Sequence, residues 1–263
     1  MKIENRNVLV LGASKGLGFA CAKSLYEAGA NVFLNSHDQR NLELARDRIK
    51  SGNSGSNVYL APFDINDKVQ ITNGVSQVLE LCDNRIDILV TNSANFGYGP
   101  FLELTEEDWD TAITLKFKSI ARVVQLVLPG MIANAAGQIV NIGSIDTKEP
   151  QFGFSPSVSA RLLAMGYLKS LADHLAPKGI RVNQVLCGYT ATETLISYLE
   201  RKSAAKGKTR SELEQEIIQR IPMQRLADPE EIGKVVRFLV SDDASYITGQ
   251  SIVVDGGLLR SPQ

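Results

Sequence analysis

Short apolar runs alternate along the chain with longer segments in which apolar residues recur at helical spacing. Seven runs are nearly all apolar, which is typical of parallel strands covered on both faces. The predicted strands are Val8–Leu11, Val32–Asn35, Val58–Ala61, Ile86–Thr91, Gln138–Ile142, Arg181–Leu186 and Ser251–Val254. Their alternation with helices predicts an α/β fold: one doubly wound (Rossmann) domain over residues 1–263, with a seven-stranded parallel sheet and helices on both faces.

Several helix boundaries can be predicted from capping residues. Thr105 precedes three acidic residues and an apolar stripe, which resembles a capping box. Asp228 stands before Pro229 and two glutamates, as expected for an N-cap followed by a first turn. Gly29 and Gly179 lie where helices are expected to end and strands to begin.

The segment Thr190–Arg225 interrupts the strand–helix alternation. It begins with an amphipathic stretch and continues into a basic run between Arg201 and Lys208. One interpretation is a solvated helical excursion, and the other is a lid over the strand ends that a substrate orders. The sequence favours neither.

Composition narrows the classes of partner. The chain has 263 residues, 44% hydrophobic and 22% charged, with a net charge of −1, so it has no field that would attract nucleic acid or an anionic membrane. No apolar run approaches the roughly 20 residues that span a bilayer. The first residues run directly into a strand pattern, and Cys21, Cys82 and Cys187 lack metal or redox spacing. We therefore expect a cytoplasmic protein with free thiols, no metal, and neither nucleic-acid nor membrane partners.

A glycine-rich segment connects the first predicted strand to the first helix. Glycines there let the backbone approach a pyrophosphate and aim amide N–H groups and the helix dipole at it. A merely tight turn is the alternative, but the strand–loop–helix context favours dinucleotide binding. The predicted binding residues in this segment are Gly12, Ser14, Lys15, Gly16, Leu17 and Gly18.

Two further positions fit a dinucleotide. Asp64, just past the third strand, is placed to accept a hydrogen bond from an adenine amino group. The end of the second strand, Asn35-Ser36-His37, lacks the acid that would hold a free ribose 2′-hydroxyl. Lys15 and His37 are instead suited to a 2′-phosphate, so NADP(H) is predicted in preference to NAD(H), unless both are simply solvated.

These motifs, with segments further along the chain, resemble the short-chain dehydrogenase/reductase family, in particular its 3-oxoacyl-acyl-carrier-protein reductase-like branch. The resemblance covers nearly the whole chain and is strongest in its last third. It implies that the cofactor pocket also includes Ile65, Asn92, Ala94, Arg161, Gly188 and Thr190. The segments that carry it include Gly12–Gly18, 92–95, 105–110, 139–144, 180–183, 221–232 and 247–257.

The family's catalytic set is an asparagine, a serine, a tyrosine and a lysine, and three of the four are changed here. Ser144 matches the serine, but Ser157 stands in place of the tyrosine and Arg161 in place of the lysine. The asparagine position falls on Lys116. A serine hydroxyl is far less acidic than a phenol, and arginine does not release a proton near neutral pH. The resemblance therefore implies a catalytic site of Ser144, Lys116, Ser157 and Arg161 that cannot use the standard tyrosine–lysine mechanism.

Lys116 is the most informative of these changes. If its helix keeps the family placement, Lys116 is a substitute proton donor or, with Arg161, a clamp for an anionic substrate. The simpler expectation is that its side chain extends to solvent. Asp146 is expected to be an ordinary loop acid, although pairing with Arg161 stays open. Tyr98, Tyr189 and Cys187 are expected to be pocket wall or packing residues.

The altered catalytic set is compatible with three functions. The first is an atypical carbonyl/alcohol oxidoreductase that binds NADP(H) and a small-molecule substrate. The second is a catalytically silent cofactor-binding relative or partner of an active paralogue. A lyase or dehalogenase is weaker, because the glycine-rich loop is kept and the tyrosine is lost. The resemblance implies a homodimer or homotetramer, or a mixed oligomer with the paralogue, formed through the helices that contain Lys116 and Ser157.

Overall fold

Seven parallel strands form the centre of the protein, as the apolar runs predict. The computed structural model describes residues 3–51, 55–93 and 99–260. The strand order is β3-β2-β1-β4-β5-β6-β7, and every pair of neighbours is parallel. The strands are β1 (Asn7–Val10), β2 (Asn31–Ser36), β3 (Val58–Pro62), β4 (Ile88–Thr91), β5 (Gly137–Ser144), β6 (Ile180–Cys187) and β7 (Ser251–Val254).

Most strand ends differ from the prediction by one or two residues. β5 extends two residues further than predicted, to Ser144 rather than Ile142. β4 starts two residues later than predicted, at Ile88 rather than Ile86. Its ladder with β1 starts at the pair Val8–Ile88. Asp87, just before it, is buried, and its carboxylate accepts from Arg6 and from the Asn7 backbone N–H. Apolar character alone does not reveal where pairing begins.

Helices cover both faces of the sheet, and each face has its own hydrophobic core. Side chains alternate along each strand, so Val8 and Val10 belong to one core and Leu9 and Leu11 to the other. Helices α1, α2 and α9 pack on the first face, and α3, α5 and α6 on the second. The helices are α1 (Gly16–Glu27), α2 (Gln39–Lys50), α3 (Lys68–Leu81), α4 (Glu106–Ile113), α5 (Ser119–Ala133), α6 (Ser155–Leu175), α7 (Glu193–Lys206), α8 (Arg210–Arg220) and α9 (Pro229–Val240).

The predicted helix boundaries are confirmed. Thr105 and Asp108 form a capping box at the start of α4, and Asp228 and Glu231 form another at the start of α9. Helix α1 ends just before Gly29, and the short turn after α6 ends at Gly179, directly before β6. In the described part of the chain, no helix combines the length and apolar character needed to cross a bilayer.

The segment Thr190–Arg225 folds into α7 and α8 beyond the ends of the central strands. These two helices share a small third core in which Leu199, Leu213 and Ile217 pack with Ile145 and Leu186. The excursion is therefore helical and attached to the strand ends by apolar contacts. Its role as a lid stays a prediction.

Candidate functional site

One cavity of about 480 Å³ lies at the carboxyl ends of the strands. The strand order reverses between β1 and β4, and open α/β sheets bind ligands at such a switch point. The cavity runs from the glycine-rich loop to the end of β5 and the first half of α6. Its wall includes the predicted residues Gly12, Ser14, Lys15, Gly16, Leu17, His37, Asp64, Ile65, Asn92, Ser144, Arg161, Gly188 and Thr190.

The glycine-rich loop is shaped by a left-handed glycine and by one close backbone approach. Gly12 has a φ of +62°, which disfavours residues with a side chain. A Cβ on Gly18 would lie 2.1 Å from the carbonyl oxygen of Gly12, so only glycine fits where α1 packs against the loop. The Asn92 side-chain amide donates to that same oxygen at 3.3 Å. Gly18 thus shapes the loop from behind rather than lining the cavity.

The start of α1 leaves its first backbone N–H groups available to a ligand. Lys15 is the N-cap residue, and its side chain makes no capping hydrogen bond. The first turn contains no acidic residue. A helix N-terminus of this kind attracts anions through its N–H groups and its dipole.

Beside the glycine-rich loop, the end of β2 offers no carboxylate to the cavity. Asn35 is buried, and its side-chain amide donates to the carbonyls of Ala61 and Phe63, both at 3.0 Å. His37 is exposed and lines the cavity. The next acid, Asp38, caps α2 by accepting from the Asn41 N–H at 2.9 Å and is absent from the described cavity wall.

Past β3, Asp64 lines the cavity, as predicted for an adenine contact. Its Oδ1 accepts from the backbone and side-chain N–H groups of Asn66, at 2.8 and 3.0 Å. These two bonds orient the carboxylate and do not involve Oδ2. Ala94, Asn95 and Tyr98, which the sequence analysis also named, lie outside the described residues.

An ion pair links the glycine-rich loop to the start of α7. The Lys15 ammonium lies 3.2 Å from a carboxylate oxygen of Glu193, and both side chains are mostly exposed. Thr192 caps α7 by accepting from the Leu195 N–H at 3.3 Å. Thr192, Glu193 and Leu195 all line the cavity, so the first turn of α7 forms its outer wall.

At the opposite end of the cavity, Ser144 and Asp146 form a closed hydrogen-bonded pair. The Ser144 hydroxyl donates to Asp146 Oδ2 at 2.9 Å and accepts from the Asp146 N–H at 3.2 Å. Ser144 ends β5, and Asp146 lies in the 3-10 turn Ile145–Thr147. Burial raises the pKa of the Asp146 carboxyl, although the Ser144 hydrogen bond and the Arg161 charge act in the opposite direction.

Ser157 and Arg161 lie one turn apart on α6, but only Arg161 reaches the cavity. Arg161 lines the wall near Asp146, whose charge raises the pKa of the guanidinium while burial lowers it more strongly. Ser157 is only 4% exposed and is absent from the described cavity wall. The residue in the tyrosine position is therefore packed inside.

Lys116 is buried, which makes the expectation of a solvent-facing side chain wrong. It lies in a π-helical turn, Thr114–Lys118, between α4 and α5, and is 2% exposed. Its ammonium nitrogen donates to the Ser93 carbonyl at 3.4 Å. Burial, and then the nearby Arg161 charge, hold the pKa of Lys116 well below its usual range. Leu115 lines the cavity in its place, with Lys116 behind the described wall.

The remaining wall residues at this end agree with the packing role expected of them. Burial raises the pKa of the Cys187 thiol to about 12, so it stays protonated and is a poor nucleophile. The Tyr189 hydroxyl donates to Gln151 Oε1 at 3.0 Å, and burial raises its pKa. Gln151 also lies on the cavity wall, and sequence reasoning missed it because it lies in an irregular segment before α6.

Known proteins match nearly the whole chain. The family model described as enoyl-(acyl carrier protein) reductase matches residues 12–259. Oxidoreductase UcpA of Salmonella typhimurium is 33% identical over 263 residues, covering 97% of this chain and 95% of that protein. The 3-oxoacyl-[acyl-carrier-protein] reductase FabG of Thermotoga maritima is 32% identical over 261 residues, covering 98% and 100%. A crystal structure of an actinorhodin polyketide ketoreductase variant with NADPH superposes with a TM-score of 0.92, at 28% identity and 97% coverage of both chains.

Proposed function

Because the chain belongs to the short-chain dehydrogenase/reductase family, we propose that it is an NADP(H)-dependent oxidoreductase that interconverts a carbonyl and an alcohol without a tyrosine–lysine pair. The observation that supports this most directly is the single cavity that joins the glycine-rich loop to Ser144 and Arg161. Such a cavity lets a dinucleotide and a small substrate meet at one wall. One relative of the chain is a 3-oxoacyl-[acyl-carrier-protein] reductase, and this chain departs from the family's catalytic set in the groups available for proton transfer.

The residues present fit a nicotinamide dinucleotide. Gly18 packs closely against Gly12, and neither residue has a side chain that would cover the loop backbone. Helix α1 begins without a side-chain cap. The loop and the α1 N-terminus would hold the pyrophosphate, and Asp64 and Ile65 the adenine. Arg161, Gly188 and Thr190 would hold the nicotinamide half. The cofactor, when bound, supplies or accepts the hydride, and every proton must come from the chain or from water.

The preference for NADP(H) over NAD(H) rests on charge. Lys15 and exposed His37 flank the end of β2, whereas Asp38, the nearest acid, caps α2. A ribose 2′-phosphate would find a cation there, and a free 2′-hydroxyl would find no carboxylate. Glu193 already pairs with Lys15, so a 2′-phosphate would have to displace it.

The chemistry that survives at the far end differs from the family's. Ser144 and Arg161 touch the cavity, whereas Ser157 and Lys116 lie behind its described wall. The Arg161 guanidinium on the cavity wall supports an anion-attracting site, because a positive charge there would attract a substrate carboxylate. A small, anionic carbonyl compound is therefore the substrate class that we propose.

A catalytically silent, cofactor-binding protein is the second candidate. The observation that favours it is the Ser144 hydroxyl, which donates to Asp146 instead of pointing freely at a substrate. Leu162 and Leu163 are exposed on α6, and they fit the proposed homodimer, homotetramer or mixed oligomer with an active paralogue.

A nucleotide titration followed by a carbonyl screen tests both candidates. We expect NADPH fluorescence to reveal saturable binding that is tighter than NADH binding, and NADPH to be consumed with at least one carbonyl acid. Saturable binding without turnover across the screen would favour the silent candidate. Failure to bind either nucleotide would remove both.

A further inference from the structure

We propose that Asp146 is the proton source of this site and that Ser144 passes its proton to the substrate oxygen. This inference rests on the proposed function, because it assigns the proton that the proposed reaction consumes. It concerns a residue that the family's catalytic set does not contain.

The geometry provides a continuous proton path from Asp146 to the cavity. Asp146 Oδ2 and Ser144 Oγ are 2.9 Å apart, a separation that suits a hydrogen bond in either direction. The Asp146 N–H holds Ser144 Oγ from the same side at 3.2 Å. Both residues line the cavity, so Ser144 can contact a substrate while it is hydrogen-bonded to Asp146.

The charged and titratable groups around Asp146 favour a carboxyl that alternates between its two forms. Arg161 faces it from α6, and Tyr189 faces it from the segment after β6. Cys187 and Lys116 lie near the Arg161 charge, and the neighbouring Lys148 and Glu149 are exposed. Burial holds a proton on Asp146 at a higher pH than usual, and Arg161 stabilises the carboxylate that remains after transfer.

The other candidate donors are less suitable. The Lys116 amine lies behind the described cavity wall and donates to the Ser93 carbonyl. The Tyr189 hydroxyl donates to Gln151, and burial raises its pKa despite the opposing effects of that hydrogen bond and of the Arg220 charge. A serine by itself is too weak an acid, and Asp146 supplies the acidity that Ser144 lacks.

The proposed step balances in atoms and electrons. During reduction, the transferred hydride forms the new C–H bond, and the electron pair of the carbonyl π bond moves onto oxygen. That oxygen takes the proton of Ser144 Oγ, and Ser144 Oγ takes the carboxylic proton of Asp146. Asp146 is left as a carboxylate, and water at the cavity mouth returns its proton. Alcohol oxidation follows the same path in reverse.

The test compares Asp146→Asn and Asp146→Glu with a matched control, Asp243→Asn. Ser241 and Asp243 repeat the local turn, since the Ser241 hydroxyl accepts from the Asp243 N–H at 3.2 Å, but Asp243 is exposed and outside the described cavity wall. We expect D146N to lose roughly 100-fold or more in kcat for carbonyl reduction, as is common when a general acid is removed. D146E should recover part of the rate, and D243N should match the wild type.

Two readouts separate a proton source from a structural role. The wild-type reduction rate should fall as the pH rises through the pKa of Asp146, and the residual D146N rate should lose this dependence. Carbon-detected NMR of labelled aspartate should show Asp146 titrating above the ordinary range while NADPH still binds D146N.

A D146N enzyme with the wild-type rate and pH profile would overturn the inference. An ordinary Asp146 titration would also overturn it, as would a Tyr189→Phe variant that alone abolishes the pH dependence. NADPH binding without turnover by the wild type would instead overturn the proposed function, and this inference with it.

Discussion

At the glycine-rich end of the cavity the backbone forms the binding surface, whereas at the Ser144 end the side chains do. The first end depends on Gly12, Gly18 and an uncapped helix start, which few other residues could replace. The second end depends on Ser144, Asp146 and Arg161, which are joined by hydrogen bonds and charge. Sterics therefore constrain the residues of the glycine-rich loop, whereas the side chains at the other end of the cavity are open to substitution.

The largest expected effect is at the backbone end. Gly18→Ala would place a Cβ 2.1 Å from the Gly12 carbonyl oxygen, so the loop must move. Overpacking of this kind costs roughly 1–3 kcal/mol of the free energy of unfolding, and we expect NADPH affinity to fall at least tenfold. Gly166→Ala is the control, because its Cβ would meet nothing within 4 Å; it should be neutral or stabilising by about 0.5–1 kcal/mol. Urea unfolding and fluorescence titration measure both, and an unchanged G18A would refute the steric account.

At the side-chain end, Lys116→Met should stabilise the protein at neutral pH. Burial lowers the pKa of Lys116 in the folded state, so the unfolded chain binds more protons and the free energy of unfolding rises with pH. Replacing the amine should therefore add roughly 1 kcal/mol or more near pH 7. The gain should shrink as the pH rises toward the ordinary value of 10.5.

Unfolding curves between roughly pH 6.5 and roughly pH 9.5, below the ordinary pKa of a lysine, measure this slope. Lys118→Met is the matched control, since Lys118 lies in the same π turn but is exposed. It should leave the pH dependence unchanged. A destabilised K116M at all pH values would show that the amine forms hydrogen bonds worth more than its desolvation.

A smaller effect is expected from Lys15→Met, which probes the cofactor preference. Lys15 is 62% exposed, so a phosphate contact there is worth about 1 kcal/mol, or roughly fivefold in affinity. NADPH binding should weaken by that factor, and NADH binding should stay within twofold. Glu193→Gln removes the competing carboxylate and should slightly strengthen NADPH binding. Equal losses for both nucleotides would place Lys15 at the pyrophosphate instead.

The smallest effect is expected behind the glycine-rich end, where α9 packs against α1. The Arg225 guanidinium and the Asp228 N–H lower the pKa of Glu231 to about 2. A lowered carboxyl pKa stabilises the fold above its unfolded value near 4.5, and this stabilisation is lost as the pH falls toward 2. Because Glu231 is 39% exposed, Glu231→Gln should cost less than about 1 kcal/mol at pH 7.

Acid unfolding of the wild type and E231Q measures this cost. The difference between their free energies of unfolding should shrink to nothing as the pH falls from 4.5 to 2. NADPH affinity should be the same in both. A loss of affinity in E231Q would mean that α9 takes part in shaping the phosphate loop.

The sequence predicted the sheet well because strands buried on both faces are nearly all apolar, and β1 through β7 all fall on such runs. Helix ends were predictable where a cap forms locally, as at Thr105 and Asp228. The burial of Lys116 was not predictable, because a π turn rotates the helix face away from ordinary periodicity. The pairing of Asp146 with Ser144 was missed for a similar reason: it depends on a 3-10 turn after β5.

Asn35 has a practical consequence for redesigning cofactor choice. Its side-chain amide donates from β2 to the carbonyl of Ala61, near the end of β3, and to the carbonyl of Phe63, just after β3. An acid introduced at that position could not donate to either carbonyl, and would leave both acceptors and a buried charge without partners. Engineering toward a non-phosphorylated dinucleotide should therefore begin one or two residues later, at Ser36 or His37, where new side chains can face the cavity without loosening the sheet.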